Sequence, residues 1–323
     1  MSHPLPSTSP RRMTESLDPV DQAIVALLCE DGRVPVARIA ERINISAATA
    51  RQRLDRLLAS RDIRVVGLVD PALLGTPVMA YLVVDTDART SSVAGELAHI
   101  AEAQWIATVT DLVTVLVQVS TKDNASLVKL IDERIRPVAG VNTVRVQHVL
   151  RSFITPYAFG SSASGTAEPT AWVEGAGRGI DDADRLILGV LQSDGRATFT
   201  DLAHTCGLSV PATRQRFLRL SSRSLVRIHC RIAPSLLGMH AIGTIRILCR
   251  ANSTRVASRL TQLPEAVWMA QTAGQYDMNL EVICRDREHL AGVYRQVRDM
   301  DEVAESVLLP HQDVVKQTSR WSH

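Results

Sequence analysis

Aromatic side chains are scarce, at 4% of the chain, which argues against the broad stacking platforms that hold single-stranded nucleic acid. An excess of charge of one sign is missing as well. With 36 Lys and Arg against 34 Asp and Glu the net charge is +2, so any affinity for an anion must come from local clustering. The five cysteines, Cys29, Cys206, Cys230, Cys249 and Cys284, are odd in number, lack CxxC spacing and have no histidines at zinc-site distances. They read as reduced, mostly buried thiols, and no metal site is expected. No apolar run approaches the ~18 residues of a membrane span. The N-terminus, with Pro4, Pro6, Pro10 and Arg11-Arg12, lacks the apolar core of a signal peptide. A cytoplasmic protein without a membrane partner is expected.

What the chain does have is a basic stretch, present twice. Ser209-Val-Pro-Ala-Thr-Arg-Gln-Arg-Phe-Leu-Arg-Leu runs on through Arg223, Arg227 and Arg231 without an acidic residue. An earlier copy, Ser46-Ala-Ala-Thr-Ala-Arg-Gln-Arg-Leu-Asp-Arg-Leu, places Arg51 163 residues before Arg214. The same offset relates Trp105 to Trp268 and His148 to His311. The chain is a tandem duplication, and 323 residues allow each half two small domains.

In each half the order begins with helices. Asp18 is placed to cap a helix with Pro19 at its first position and Asp21 complementing its dipole. Val20, Ile24, Leu27 and Leu28 form one apolar face, and Gly32 lies where the helix stops. Asp181, Asp184, Ile187, Val190, Leu191 and Gly195 repeat this logic. A short helix follows, near Val36 to Ile43 and Phe199 to Cys206. Each ends in a tight turn, Asn44-Ile45-Ser46 or Gly207-Leu208-Ser209, in which Asn or Gly accepts a positive φ and Ser caps the next helix. Two short helices, a three-residue turn and a basic third helix make a helix-turn-helix.

Stepping 100° per residue around the third helix puts Ala50, Leu54, Leu57 and Leu58 inward and Ala48, Thr49, Gln52 and Arg56 outward. In the second copy Pro211, Ala212, Gln215 and Arg219 face outward, with Arg214 on the flank as Arg51 is in the first. Arg53 and Arg216 fall near the edge of the apolar face and suit phosphate or a neighbouring acid better than a base. With the capping serines and Thr213, the expected DNA-contacting set is Ser46, Thr49, Arg51, Gln52, Arg53, Arg56, Ser209, Thr213, Arg214, Gln215, Arg216 and Arg219. Arginines neutralise phosphates and can read guanine, and Gln can read adenine, in the major groove. Asp55 and Asp62 dilute the first copy, so the second is expected to contribute more.

A short alternating segment follows each helix, Ile63 to Asp70 and Val226 to Ala233, suited to a small hairpin or a connecting strand. Each ends in matched punctuation, Asp70-Pro-Ala-Leu-Leu-Gly75 and Ala233-Pro-Ser-Leu-Leu-Gly238. The remainder of each half reads βαββαβ, a ferredoxin-like pattern. Strands are expected near 78–86, 105–110, 113–119 and 141–149, then 241–250, 267–272, 277–283 and 303–310. The fold class is therefore α+β. The expected division is a disordered leader at 1–16, helix-turn-helix domains at 17–70 and 180–233, ferredoxin-like domains at 71–158 and 234–323, and a flexible linker at 159–179.

A helix-turn-helix joined through a short strand and an x-Pro-x-Leu-Leu-Gly turn to a βαββαβ domain resembles the leucine-responsive regulatory protein/AsnC family. Asp21 and Asp184, Gly32-Arg33 and Gly195-Arg196, Ser46 and Ser209, and Arg53 and Arg216 match its pattern. Thr272-Ala-Gly274-Gln-Tyr276-Asp277 is similar to its Gly-x-Tyr-Asp turn. The resemblance implies a transcription regulator with winged helix-turn-helix and RAM-type ligand-binding domains. It implies double-stranded DNA as partner, at an imperfect palindrome or an asymmetric operator. It also implies an amino acid or related effector held by Thr272, Gly274, Tyr276 and Asp277, and homo-oligomers formed through the ferredoxin-like sheets. Family members usually carry one such unit, so the fused halves are expected to supply the family's dimer within one chain. The first half departs from the pattern: Thr110-Asp111-Leu-Val-Thr114 lacks the Gly and Asp of the motif.

The rival reading is an enzyme. Some tandem proteins of this architecture resemble sirohaem decarboxylases, with a vestigial helix-turn-helix and an Asn-Leu-Trp segment. This chain has Val115-Leu-Val-Gln118 and Met278-Asn-Leu-Glu281 there, and it keeps dense arginines on both third helices. No Ser/His/Asp or Cys/His arrangement follows from spacing. Gly175-Ala-Gly177-Arg-Gly179 has no preceding strand and no Gly-Lys-Ser/Thr, so neither a catalytic site nor a cofactor is expected. His148 and His311 read as structural or exposed, and Cys206, beside the second basic helix, as a small buried hydrophobe.

Overall fold

The computed structural model describes residues 17–60, 62–154, 179–250 and 252–318. The leader expected at 1–16, and the linker expected at 159–179 apart from Gly179, lie outside the described residues.

Each half opens with three helices: α1 (Pro19–Glu30), α2 (Val36–Ile43) and α3 (Ala47–Ala59), then α6 (Asp182–Ser193), α7 (Phe199–Cys206) and α8 (Val210–Ser222). Their starts are fixed by side-chain caps. Asp18 accepts the Asp21 N–H at 2.8 Å. Asp181 and Asp184 satisfy each other's backbone N–H in a reciprocal box, at 2.9 and 3.2 Å, and Ser46 and Ser209 cap α3 and α8. Asn44 (φ 55°) and Gly207 (φ 64°) make the left-handed turns before the third helices, a conformation most side chains resist.

The segment after each third helix is a single strand, and it pairs with its counterpart from the other half. Strands β1 (Ile63–Val69) and β6 (Val226–Ile232) run antiparallel from Ile63 opposite Ile232 to Val69 opposite Val226. This ribbon exchanges apolar residues between the halves. Cys230 and Ile232 are buried in the core of the first helix-turn-helix, while Val69, Leu73 and Leu74 are buried with Ile187, Leu191 and Leu220 in the second.

The two βαββαβ domains comprise β2 (Val78–Thr86), α4 (Thr90–Ala98), β3 (Ala103–Val109), β4 (Thr114–Thr121), α5 (Asn124–Leu130) and β5 (Val141–Ile154), then β7 (Ala241–Cys249), α9 (Ser253–Leu260), β8 (Ala266–Ala273), β9 (Met278–Cys284), α10 (Arg287–Arg298) and β10 (Val303–Gln317). The last strand of each half is longer than the sequence pattern suggests. It runs on to Ile154 or Gln317 because its far end leaves its own sheet and pairs across the molecule, β5 with β8 and β10 with β3. The eight strands close in the order β10-β3-β4-β2-β5-β8-β9-β7.

Alternation along the strands gives this barrel two faces. One packs Leu82, Ile106 and Val117 against α4 and α5, or Ile245, Met269 and Leu280 against α9 and α10. The other gathers Tyr81, Trp105, Leu116 and Trp268, from both halves, between the sheets. Closure leaves the barrel itself no unpaired edge among the described residues, so further assembly through these ferredoxin-like sheets would use their faces or helices rather than a strand edge. No helix among the described residues is long and apolar enough to cross a membrane.

Candidate nucleic-acid interface and effector turn

The third helices carry three arginines each at matched positions, and the structure divides them by use. Asp21 is 4% exposed and Asp184 is fully buried; a carboxylate so placed needs charged donors. Arg53 reaches Asp21 at 3.0 Å and also pairs with Asp18. Arg216 reaches Asp184 at 2.9 Å and Asp181 at 2.7 Å. These guanidinium bonds hold the Asp18 and Asp181 carboxyls below the usual range. Arg56 and Arg219, which helical angle alone places outward, fold back onto Asp21 and Asp184. The pull of a buried carboxylate overrides the outward vector, although both side chains keep one flank in solvent. Thr213 turns inward: it is fully buried and its hydroxyl donates to the Ser209 carbonyl at 3.0 Å. Thr49 shares a hydrogen bond with the Ser46 hydroxyl at 2.8 Å.

After this accounting Arg51, Gln52, Arg214 and Gln215 stand exposed on the recognition helices, and no ion pair to Arg51 or Arg214 forms among the described residues. The acids of each helix-turn-helix that could compete with phosphate are partly consumed inside the domain. What remains outward without bracing a buried acid is a cation and an amide on each third helix, joined on the first by the exposed Asp55.

The two helix-turn-helix domains are clasped together by the Gly-Arg pairs. Arg33 donates to the carbonyls of Gly195 and Ala197, both at 2.7 Å, and Arg196 donates to those of Gly32 (2.7 Å) and Val34 (3.1 Å). Arg33 also lies 5.0 Å from the Phe199 ring centre and 5.1 Å from that of Phe217. Gly32 and Gly195 permit the approach: a Cβ at Gly32 would stand 2.7 Å from Ile228, and one at Gly195 would stand 3.0 Å from the Val66 backbone. The sequence pattern flagged these residues without indicating what they hold.

The expected effector turn links β8 to β9 beside the first half. Thr272 donates its hydroxyl to the Tyr276 carbonyl at 2.8 Å. Asp277 accepts the Cys249 N–H at 2.7 Å, which ties the turn to the end of β7. The Tyr276 hydroxyl donates to Glu305 at 3.1 Å, and the Arg246 guanidinium stacks 4.1 Å from its ring centre. Gly274 is where the halves touch, since a Cβ there would lie 3.0 Å from Gln147 Cγ. In the first half Asp111 closes the equivalent turn on itself, accepting from the Val113 and Thr114 N–H groups at 3.0 Å and from the Thr114 hydroxyl at 2.7 Å.

These geometries agree with comparisons to known proteins. The AsnC-type helix-turn-helix domain model matches residues 17–58 and 180–221, and the Lrp/AsnC ligand-binding domain model matches residues 78–158 and 244–321. The chain belongs to the Lrp/AsnC family. It is 33% identical over 138 residues to an uncharacterized helix-turn-helix-type transcriptional regulator of Pyrococcus horikoshii, covering 42% of this chain and 87% of that one. It is 28% identical over 130 residues to a helix-turn-helix-type transcriptional regulator of Mycobacterium tuberculosis, covering 39% and 88%. Each such relative spans about one half of this chain. The crystal structure of the siroheme decarboxylase NirDL matches 94% of both chains with a TM-score of 0.63 at 13% identity, a likeness of fold alone.

Within this Lrp/AsnC frame the repeated histidines and the cysteines find structural places. His311 shares a hydrogen bond with Thr244 at 2.9 Å and sits 5.2 Å from the Trp105 ring centre; burial pushes its pKa down to about 3. Cys206 is half-buried, its thiol 3.7 Å from the Ala183 carbonyl, and burial raises its pKa. Among the described residues no group of His, Cys, Asp or Glu is arranged to hold a metal. Spacing did not reveal the cross-half contacts of the inter-sheet layer. The Tyr81 hydroxyl meets Thr244 at 3.1 Å, and Asn279 donates to Gln147 at 3.1 Å. The available signal was the run of polar residues at inward strand positions, Gln118, Gln147, Thr244 and Asn279.

Proposed function

We propose that this chain is a sequence-specific DNA-binding transcription regulator in which one polypeptide supplies both recognition helices of a family dimer. The observation that carries the reading is the division of the third-helix arginines. Arg53, Arg56, Arg216 and Arg219 brace buried carboxylates, while Arg51, Gln52, Arg214 and Gln215 are exposed on helices fixed by a shared β1–β6 ribbon. The helices would enter successive major grooves about 34–36 Å apart. Ser46 and Ser209 place the helix N-termini, Thr49 and Thr213 support those turns, and the bracing arginines add charge toward phosphate. The unlike halves suit an asymmetric operator. The effector is an amino acid or a related small molecule at the turn formed by Thr272, Gly274, Tyr276 and Asp277, where a ligand would act by its differential affinity for two arrangements of the halves. The chain works in the cytoplasm, and it has no catalytic role.

The test is a mobility shift of the purified protein on DNA from its own upstream region at two salt concentrations, with visible absorption recorded on the same sample. A salt-sensitive, sequence-selective shift is expected. Arg51→Ala and Arg214→Ala should each reduce the salt slope by about one, at unchanged thermal stability. Absence of a specific shift, together with tetrapyrrole absorption, would replace this reading with the enzymatic one.

A further inference from the structure

The first half carries a cleft where β2 and β3 begin and β4 ends, at the other end of β3 and β4 from the Asp111 turn, and none of its lining residues belongs to the effector turn. It has a volume of about 410 Å³, and Leu74, Thr76, Glu102, Thr121, Lys122 and Ser126 are among the residues lining it. That volume falls within the range of small-molecule sites. Two features distinguish it from a packing defect.

The first is its chemistry. Both oxygens of Glu102 accept from Arg134, at 2.9 and 2.8 Å, so that carboxylate is already neutralised. Lys122 is exposed and makes no ion pair among the described residues. It is the cation among the residues lining the cleft, although the neighbouring Asp123 carboxylate also feels its charge. The hydroxyls have donated elsewhere: Thr76 to the Pro71 carbonyl at 3.3 Å, Ser120 to Thr76 at 3.3 Å, and Thr121 to the Asp123 carbonyl at 3.1 Å. Toward the cleft they offer acceptor lone pairs. A complementary guest thus carries an anion for Lys122 and a hydrogen-bond donor for the hydroxyl oxygens.

The second is its mechanical position. Leu74 lines the cleft and is 1% exposed, and it packs into the core of the second helix-turn-helix with Ile187, Leu188 and Leu191. The same connector in the second half is looser, with Leu237 39% exposed. There His289 replaces Ser126 and Met239 replaces Thr76, and the His289 imidazole lies 3.0 Å from Glu265. The second half fills with larger side chains the positions at which the first half stays open.

We infer that this cleft is a binding site for a small carboxylate bearing a hydroxyl or ammonium donor, and that its occupancy is felt through Leu74 by the second helix-turn-helix. The site is separate from the effector turn, and its test needs no DNA, so it can fail without touching the regulatory reading. Isothermal titration of the full chain with L-lactate, L-alanine, L-serine and L-threonine, and with propionamide as the uncharged control, measures it. At least one carboxylate should occupy one cleft site per chain, counted apart from any binding at the effector turn, while propionamide does not bind. Affinity at that cleft site should drop at least tenfold in Lys122→Ala, disappear in Ser126→Phe, and remain unchanged in Asp277→Asn. Hydrogen exchange should slow on binding at Leu74 to Thr76 and in α6. Failure of all four carboxylates to bind, the absence of any bound site that both cleft variants weaken, or loss of that site in Asp277→Asn would overturn the assignment, whereas a second site lost only in Asp277→Asn belongs to the effector turn.

Discussion

The two halves match at the clasp, at the buried acids of the helix-turn-helix domains and at the paired tryptophans, and differ at their β-turns, at the cleft and at one inward strand position. Gly32 and Arg33 are matched by Gly195 and Arg196, Asp21 by Asp184, and Trp105 by Trp268, each at the same offset. In contrast the counterpart of Ser126 is His289, that of Gln118 is Glu281, and that of the Asp111 turn is the Gly274 to Asp277 turn. Reciprocal bonding explains the first group: Arg33 and Arg196 each bind the backbone that the other's half presents, so a change on one side removes a donor from the other. A fused chain retains the constraints of a symmetric dimer at the clasp and is released from them at the turns and the cleft.

The largest test of this equivalence is at the buried acids. Asp184→Ala takes the acid partner from Arg219, leaves Arg216 with Asp181 alone and opens the capping box at the start of α6. It should cost about 3 to 4 kcal/mol. Asp21→Ala takes the acid partner from Arg56 and leaves Arg53 with Asp18 alone, but breaks no reciprocal box, and about 2 to 3 kcal/mol is expected. Urea midpoints of the two variants measure the difference; a larger loss at Asp21 would show that the halves are not braced alike.

A smaller contrast is expected at the clasp. Arg196→Ala removes two charged hydrogen bonds to carbonyls, worth about 2 kcal/mol together. Arg33→Ala removes two such bonds and also the stacking over Phe199 and Phe217, for about 3 kcal/mol. If denaturation shows Arg196→Ala to be the more damaging, the aromatic contacts contribute nothing.

Much of this was legible in advance because it was local. Caps, Gly or Asn turns and strand alternation set α1 to α3, their copies and the order βαββαβ, and the family resemblance carried the dimer logic. What stayed hidden was relational. Nothing in Ile63 to Val69 announces that its partner is Val226 to Ile232, and the extra length of β5 and β10 has meaning only once β8 and β3 lie beside them. Helical angle sets Arg56 outward, but a long side chain goes where charge draws it, and Asp21 lies on a different helix. The cleft beside Leu74 was illegible because it is defined by small side chains whose larger counterparts are apparent only by comparing the halves in space.

The mildest expected effect concerns Gln118 and Glu281, which occupy equivalent inward positions. Glu281 lies between Thr244 and Trp268 in the strand register, and burial raises its pKa from 4.5 to about 8. Between those values the folded chain keeps a proton that the unfolded chain has released. This contribution to stability is therefore full below about 4.5 and is lost as pH rises through 8. His311 and His229 act at the acid end with the opposite slope. Burial pushes their pKa values from 6.5 down to about 3 and about 4, so their contributions are present above 6.5 and lost as pH falls. Glu281→Gln gives the second half the amide that the first already has. It should leave the acid limb intact, flatten the loss between pH 4.5 and 8, and make the variant more stable than the parent above pH 8. Thermal unfolding across this range measures it, and parallel curves for parent and variant would mean that the carboxyl reaches water and the two inward positions are electrostatically equivalent.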